Sequence, residues 1–424
     1  MGSPSLAVSI QPIQGLRFPQ VSQVATKVLT TFQSGHGYTA GTGATATLND
    51  ATNQIMGTQC LSWVTKGAGA QAAIKNFSVT SFTAATSSIR IRVKLTGIAY
   101  LTGLSLYVGD TNLTNYYLWT LQGVTADQTG GLFQDGEWRT LVFNFSDAAA
   151  TGSPNKAAIT NIQIATYDNS TGIVSAVIQS IELVEDATAA YPNGVISISC
   201  DDSYGSFMTL GKAELDKYCY PAACYTIVGY LGTANRTTLA ELQAAQDKQG
   251  WEIGAHAFAL ATHTTKLPGL SIDSMESDFE AQLKWAKRNG IQMDGIAYPG
   301  GSHNAAVVAS TRKYFSYGRT VISKPRETPA PGDNYRLRAN STVGGVGGTT
   351  VSSITTASTG LIDVCKANKG WLHLVFHSIT AGAAATADEC RASDLATILA
   401  AINTAGVPVV TPRNVLKRSQ GIMQ

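Results

Sequence analysis

Two neighbouring carboxylates, Asp201 and Asp202, end the apolar stretch GVISISC and are the first residues whose types suggest chemistry. Side chains alternate along a strand, so one carboxylate can bind a cation while the other faces a reacting group. Adjacent acids repel each other and lose solvation at a buried strand end, which favours a positive charge beside them. The same pair could instead form a turn or cap a helix that starts near Phe207.

Two histidines could supply further ligands for such a cation. The stretch EIGAHAFALATH places His256 at an expected strand end and His263 seven residues later, which is two turns if the segment is helical. Two neutral imidazoles and one carboxylate form a common site for a divalent ion such as zinc, with positions open for water and substrate. A lone histidine is more often a satisfied polar residue, so the interpretation depends on both imidazoles together with the acid pair.

Strand-like and helix-like segments alternate from about Tyr191 onward and would position these groups. We count roughly seven βα units, which predict a parallel (β/α)7-8 barrel, complete or slightly short of eight strands. The chemistry of such barrels lies at the C-terminal ends of the strands. Four polar residues are expected at such ends: Asp201, His256, Tyr298 and His377.

The preceding part of the chain has a different pattern. Alternating stretches such as SIRIRVKLTG and EWRTLVFNFS, separated by turn residues, predict an all-β sandwich of the jelly-roll kind. The segment DATAAYPNG is typical of a linker. We therefore predict an N-terminal arm or added segment over 1–23, a β-sandwich over 24–187 and the barrel over 191–424.

Composition limits the classes of partner. Charged residues make up 14% of the 424 residues and the net charge is +2, so nothing indicates binding to nucleic acid or to an anionic membrane surface. No apolar run approaches the roughly 20 residues of a membrane span. The hydroxyl-rich, weakly charged surface suits an uncharged partner such as a glycan. The six cysteines show no CxxC pair, and we expect mostly free, buried thiols.

In its second half the sequence resembles the polysaccharide deacetylase family, carbohydrate esterase family four, whose catalytic domain is a distorted (β/α) barrel with a divalent metal. SCDDSY resembles the family's first motif, Thr-Phe-Asp-Asp-Gly, and HAFALATH resembles its second, His-Ser/Thr-x-x-His, with the gap widened by three residues. The resemblance implies that Asp201 is the catalytic base. It also implies that Asp202, His256 and His263 are the metal ligands.

Three later segments extend the resemblance. AYPGGSHN is similar to the motif that walls the groove and offers a backbone N–H to the oxyanion, which implies roles for Tyr298, Pro299 and Gly300. The usual arginine before that motif is absent, and we expect Arg338 in YRLRANS to orient the base instead. LHLVFHSI resembles the last motif, so His377 would protonate the leaving group.

The resemblance implies a metal-dependent hydrolase that removes N- or O-acetyl groups from a polysaccharide, expected to be a bacterial surface or extracellular glycan. Zn²⁺ is the expected ion, with Ni²⁺, Co²⁺ or Mn²⁺ as alternatives. An extracellular, cell-surface or virion-associated location is expected. Two other functions stay open at this point. They are a catalytically impaired barrel that binds glycans and a metal-dependent amidase acting on small amides.

The sandwich could bind carbohydrate or serve assembly. Its aromatic residues Tyr116, Tyr117, Trp119 and Trp138 could stack on sugars, although aromatics that alternate along a strand mostly fill a core. The Gly-, Ser-, Thr- and Ala-rich composition also resembles that of bacteriophage tail proteins that deacetylate host polysaccharide. That analogy predicts a homotrimer.

Overall fold

The computed structural model describes residues 25–122, 131–185, 190–324 and 326–419. The arm expected over 1–23 lies outside the described residues, as does part of the expected linker, 186–189. Among the helices that are described, none combines the length and the apolar character needed to cross a bilayer.

The first part of the chain is all-β, as predicted. It contains two six-stranded antiparallel sheets, one in the order β3-β4-β12-β6-β9 with β1 also paired to β12, the other in the order β10-β8-β7-β11-β5-β2. Side chains from both sheets, such as Ile91 and Ile164, share one hydrophobic core, so the sheets pack face to face. The strands are β1 (Ala25–Thr30), β2 (Thr39–Ala40), β3 (Thr45–Asp50), β4 (Cys60–Val64), β5 (Gln71–Asn76), β6 (Ser87–Thr96), β7 (Leu101–Gly109), β8 (Tyr116–Gln122), β9 (Trp138–Phe143), β10 (Ala149–Thr151), β11 (Asn161–Asp168) and β12 (Ser175–Glu185).

The aromatic residues proposed as sugar contacts differ in exposure. Trp119 is buried, and its indole N–H donates to the carbonyl oxygen of Asn144 at 2.8 Å. Tyr117 is half-buried and donates its hydroxyl to the Pro154 carbonyl oxygen at 2.8 Å. Trp119 is therefore a core residue, the alternative that strand alternation favoured.

The second part contains a parallel sheet in the order β17-β16-β15-β14-β13-β18. Its strands are β13 (Val195–Cys200), β14 (Ala223–Ile227), β15 (Glu252–Ala257), β16 (Gly295–Ala297), β17 (Tyr317–Arg319) and β18 (Trp371–Phe376), and a separate pair is formed by β19 (Ser378–Thr380) and β20 (Glu389–Arg391). The helices are α1 (Lys212–Asp216), α2 (Leu239–Gln249), α3 (Leu260–Thr265), α4 (Ile272–Arg288), α5 (Ala305–Tyr314), α6 (Val351–Thr355), α7 (Leu361–Ala367), α8 (Ala392–Ala405) and α9 (Pro412–Ser419).

Among the described residues, the parallel sheet has six strands, where seven or eight were predicted. Two segments expected to be strands make isolated bridges instead. Leu337 bridges to Arg319 of β17 and Asn340 bridges to Leu374 of β18, so the segment 337–340 connects the two edge strands. Val409 bridges to Ile196 of β13. The result is a distorted, barrel-like parallel sheet with irregular closure.

Local sequence signals account for several element ends. Thr238 and Glu241 form a reciprocal capping box at the start of α2, and Gly250 ends that helix in the left-handed conformation. Ser271 caps α4, on which Met275 and Phe279 face the core. The six cysteines are unbridged, as predicted, and all are buried except Cys219.

Candidate active site

The carboxylate of Asp201 is held by an arginine from the far side of the sheet. Asp201 follows β13, is 4% exposed, and donates its N–H to the Phe376 carbonyl oxygen at 3.1 Å. Both of its oxygens accept from Nη2 of Arg319, at 2.6 and 2.5 Å, and the Arg319 side chain is fully buried. Four strand steps separate β13 from β17, about 19 Å in a flat sheet, so this contact requires the sheet to curl.

The prediction that Arg338 orients Asp201 is wrong in this structure. The Arg338 guanidinium is bound by Glu327, with Nη2 donating to Oε1 at 2.5 Å and Nε donating to Oε2 at 3.1 Å. Its backbone N–H also donates to Glu327 Oε2 at 3.0 Å. Arg338 thus forms an ion pair with Glu327 instead, and Arg319 is the arginine beside Asp201.

Asp202, His256 and His263 form a compact cluster of three potential ligands. The Nε2 atoms of His256 and His263 lie 3.2 and 3.0 Å from Asp202 Oδ1, and the three ligand atoms are within 4.8 Å of one another. Asp202 adopts a positive φ of 64°, which contributes to the sharp turn after β13. The structure therefore brings together the three residues expected to hold a metal.

The hydrogen bonding of His256 favours a shared cation in this cluster. Nδ1 lies 2.7 Å from the Ala297 carbonyl oxygen, which can only accept, so Nδ1 carries a proton and Nε2 of the neutral ring has a lone pair for a metal. Asp202 Oδ1 is buried, yet neither ring nitrogen makes an aligned hydrogen bond to it among the described residues. A cation bound between them would satisfy both Asp202 Oδ1 and the lone pair on His256 Nε2.

Two of the three distances between the ligand atoms also fit a divalent ion. In tetrahedral coordination with metal–nitrogen distances of about 2.0 to 2.1 Å, neighbouring ligand atoms lie roughly 3.3 to 3.4 Å apart. The distances of 3.0 and 3.2 Å from Asp202 Oδ1 to the two Nε2 atoms are close to that value. The His263 side chain is 25% exposed, so the cluster is open to solvent on one side.

The charges in the cluster reinforce one another. Burial opposes ionisation of Asp202, but its contacts with His256 and His263 hold its pKa well below the usual range. Burial likewise lowers the pKa of His256, but the contact with Asp202 and the charges of both acids leave that pKa raised. The site thus keeps a carboxylate ionised and attracts positive charge.

The segment that leads from β15 into α3, the helix that carries His263, is fixed by an acid on α4. Asp278, 7% exposed, accepts from the N–H groups of Phe258 and Ala259 at 2.9 and 3.2 Å and from the Thr262 hydroxyl at 2.7 Å. This ties down the three residues added between the two histidines relative to the family motif. The widened spacing is therefore accommodated as a strand, a short loop and the helix α3.

Of the three residues expected at the oxyanion, Gly300 is the candidate donor. The Tyr298 N–H donates to the Arg319 carbonyl oxygen at 3.0 Å, and Pro299 has no N–H. Gly300 has a positive φ of 59°, and a Cβ there would lie 3.0 Å from Cε of Lys266. Glycine at this position therefore permits both the turn and the close approach of Lys266.

His377 lies next to Asp201 across adjacent strands. It follows Phe376, the register partner of Cys200, and so occupies the position beside Asp201 at the ends of β18 and β13. Its Nδ1 is 3.9 Å from Asp388 Oδ1 and is buried without a hydrogen-bond partner among the described residues. His377 therefore lies at the same end of the sheet as Asp201.

One wall of the mouth consists of an arginine between two tyrosines. The Arg236 guanidinium lies 4.2 Å from the Tyr204 ring centroid and 4.1 Å from that of Tyr230, and Nη1 donates to the Asp202 carbonyl oxygen at 2.7 Å. The three side chains are half-buried. The two rings cover the guanidinium, so the outer faces of the tyrosine rings are the surfaces that could pack against sugar rings.

Comparisons with known proteins find only low similarity. No protein-family model and no curated protein matches the sequence. A Streptococcus pyogenes deacetylase solved with acetate is 22% identical, covering 34% of this chain and 62% of its own length, with a TM-score of 0.30. A family 4 acetyl xylan esterase from Clostridium thermocellum, solved with cobalt, is 14% identical over 53% of this chain and 90% of its own, with a TM-score of 0.36.

A carbohydrate-binding module is also among the solved structures that match at low similarity. A family 11 carbohydrate-binding module from Clostridium thermocellum, in complex with a mixed-linked tetrasaccharide, is 14% identical, covering 39% of this chain and 98% of its own, with a TM-score of 0.30. At these identities and TM-scores no activity follows from the likeness. The function must be inferred from the side chains described above.

Three positioning residues were missed by the sequence interpretation. Arg319 lies at the end of the short strand β17. Several of the predicted site residues also lie at strand ends, and this shared position could have identified Arg319 from the sequence. Asp278 is an acid on the core-facing side of α4, three residues after Met275. Arg236 lies in a polar loop and carried no comparable signal.

A buried histidine beside the mouth predicts a pH-dependent stability. His303 is fully buried, stacks on Tyr298 and donates from Nδ1 to the Gly301 carbonyl oxygen at 2.9 Å. Burial, aided by the charges of Arg336 and Arg139, lowers its pKa to about 4. Its contribution to stability is therefore present above the unfolded pKa of about 6.5 and is lost as the pH falls towards 4, by about 3 kcal/mol.

Chemical unfolding of the wild type and of His303→Phe between pH 7 and 4.5 measures this contribution. The variant lacks the titrating ring, so its free energy of unfolding should fall less steeply with decreasing pH. Parallel curves for the two proteins would show that His303 does not titrate as described.

Proposed function

We propose that this chain is a metal-dependent deacetylase of an acetylated polysaccharide. The observation that carries the proposal is the combination at one strand-end mouth of a buried carboxylate, Asp201, paired with Arg319, and a neighbouring cluster of three ligand side chains. A carboxylate paired with an arginine beside a cation site is an arrangement suited to activating water for hydrolysis.

Each residue has a defined role in this proposal. Asp202, His256 and His263 would hold a divalent ion, most simply Zn²⁺, which would supply Lewis acidity for water activation and carbonyl polarisation. Asp201 accepts a proton from the attacking water, and Arg319 keeps the carboxylate oriented.

The remaining groups act on the substrate. The Gly300 N–H donates to the acetyl oxygen as negative charge develops, and removal of such a donor typically costs about 3 to 4 kcal/mol. His377 donates a proton to the departing sugar oxygen or nitrogen. The bond between that atom and the acetyl carbon breaks, and acetate and the deacetylated sugar are released.

Two features support a glycan over a small amide. The ligand cluster is partly exposed, with His263 at 25% and Asp202 at 17%, so a polymer can reach it from solvent. The tyrosines that flank Arg236 provide flat ring surfaces near the ligand cluster. The Asp201–Arg319 pair supports catalysis rather than glycan binding alone. The arginine that usually precedes the AYPGGSHN-like motif is absent from the sequence, and Arg319 takes the place expected for an arginine beside Asp201.

Acetate release from a panel of acetylated bacterial polysaccharides tests the proposal. We expect release that stops with a chelator and returns with added zinc. Binding without release would support the impaired glycan-binding barrel, and turnover of small amides alone would support the amidase. The extracellular or virion-associated location and the homotrimer stay predictions from the sequence.

A further inference from the structure

The sandwich contacts the barrel segment 320–340, which begins just after Arg319. Ile322, three residues beyond Arg319, packs against the hydrophobic core of the sandwich. Further along, the Arg326 guanidinium donates to the Ser146 carbonyl oxygen at 2.5 Å and lies 3.2 Å from an Asp147 carboxylate oxygen. The segment after β17 is therefore anchored on the sandwich at Ile322 and Arg326.

A buried ion-pair cluster forms the second contact. Arg336 Nη2 donates to both carboxylate oxygens of Glu137, each at 2.8 Å, while its Nη1 donates to Asp333 at 2.8 Å. Arg139, beside Glu137 on the sandwich, donates to Asp333 at 3.3 Å. The Arg336 and Arg139 side chains are only 2% and 4% exposed, so the pairing is weakly screened by solvent.

A close backbone approach forms the third contact. A Cβ added at Gly332 would lie 2.7 Å from the Thr140 carbonyl oxygen of β9. No side chain fits at this point without movement of the loop or the strand. The contact is independent of charge and places the loop directly against the sandwich.

The end of the 320–340 segment forms hydrogen bonds with the residues on both sides of Arg319. The Leu337 N–H donates to the Gly318 carbonyl oxygen at 2.9 Å, and the Thr320 N–H donates to the Leu337 carbonyl oxygen at 2.8 Å. Leu337 directly follows Arg336, the residue bound by Glu137. A shift of Arg336 would therefore be transmitted to the backbone that carries Arg319.

We propose that the sandwich is a positioning element of the active site, in which Glu137 fixes the 320–340 segment and thereby holds Arg319 against Asp201. This role is separate from any glycan binding by the sandwich. It rests on the proposed deacetylase function for its kinetic readout, and Glu137 acts through Arg336 without touching substrate.

Two variants of the full-length chain test the proposal by different routes. Glu137→Gln removes the charge that binds Arg336, and Gly332→Ala disturbs the close contact with β9. Glu280→Gln is the matched control, because it breaks an exposed Lys284 pair on α4. We expect both test variants to lower kcat about tenfold, within the roughly hundredfold cost of a 1 Å misplacement, with KM within twofold of wild type. The control should match wild type.

Hydrogen exchange supplies a readout that does not require activity. Peptides covering 317–340 and 195–206 should exchange faster in both test variants than in wild type. Their exchange rates in Glu280→Gln should equal those of wild type. Unchanged exchange in the test variants would overturn the proposed fixing of the 320–340 segment, and faster exchange with wild-type kcat would overturn the positioning role. A wild type without acetate release would instead contradict the deacetylase function, while faster exchange over both peptides would still support positioning.

Discussion

Asp201→Asn is expected to lower kcat for acetate release by about 10² to 10⁴-fold, the usual contribution of a general base. The amide has nearly the same shape as the carboxylate but cannot accept a proton from water. The ligand cluster at Asp202, His256 and His263 is left intact, so the metal content should equal that of wild type. Steady-state kinetics and elemental analysis of the same preparation measure the two quantities.

The variant also removes the counter-charge of Arg319, so its folding must be checked. Loss of one partner of a buried pair can cost about 3 to 5 kcal/mol, and thermal unfolding will show whether the protein is native at the assay temperature. Asp247→Asn, an exposed acid on α2, is the control. A folded, metal-loaded Asp201→Asn with wild-type kcat would rule out Asp201 as the base.

Asp202→Ala is expected to abolish stoichiometric metal binding and, with it, activity. Asp202 Oδ1 is the atom that both Nε2 atoms approach, so its removal leaves two imidazoles and no carboxylate to neutralise the ion. Ligands that bind only the folded state stabilise it, by about 2.7 kcal/mol at a hundredfold excess over Kd. Zinc should therefore raise the Tm of wild type and of Asp247→Ala but leave that of Asp202→Ala unchanged.

This thermal shift is independent of turnover. A zinc-dependent rise in Tm for Asp202→Ala equal to that of wild type would mean that the ion binds elsewhere. In that case the cluster would be a set of hydrogen-bonding polar residues, the simpler alternative for each histidine taken alone.

The sequence allowed the acid pair and the two histidines to be predicted together because Asp201, Asp202 and His256 lie at or just after a strand end, and His263 follows seven residues after His256. Parallel strands place those ends at one edge, and short-range patterns suffice to locate them. The arginine beside Asp201 depends on curvature instead. Which of Arg319 and Arg338 reaches across the mouth is set by the curl of the sheet and by Glu327, and no local pattern reports either.

The strand count was overestimated for a related reason. YRLRANS has strand-like alternation, but the Arg338 N–H is taken by the Glu327 side chain, so only bridges at Leu337 and Asn340 form. VPVVTP similarly pairs at Val409 alone. Side-chain competition for backbone groups shortens a ladder without changing the apolar pattern.

Anomalous diffraction from crystals grown with zinc tests most directly whether one cation joins these residues. The account predicts a single strong peak in the mouth, about 2.0 to 2.2 Å from His256 Nε2, His263 Nε2 and an Asp202 oxygen, with Asp201 still paired to Arg319. No peak there, or a peak that leaves one histidine turned away, would contradict it.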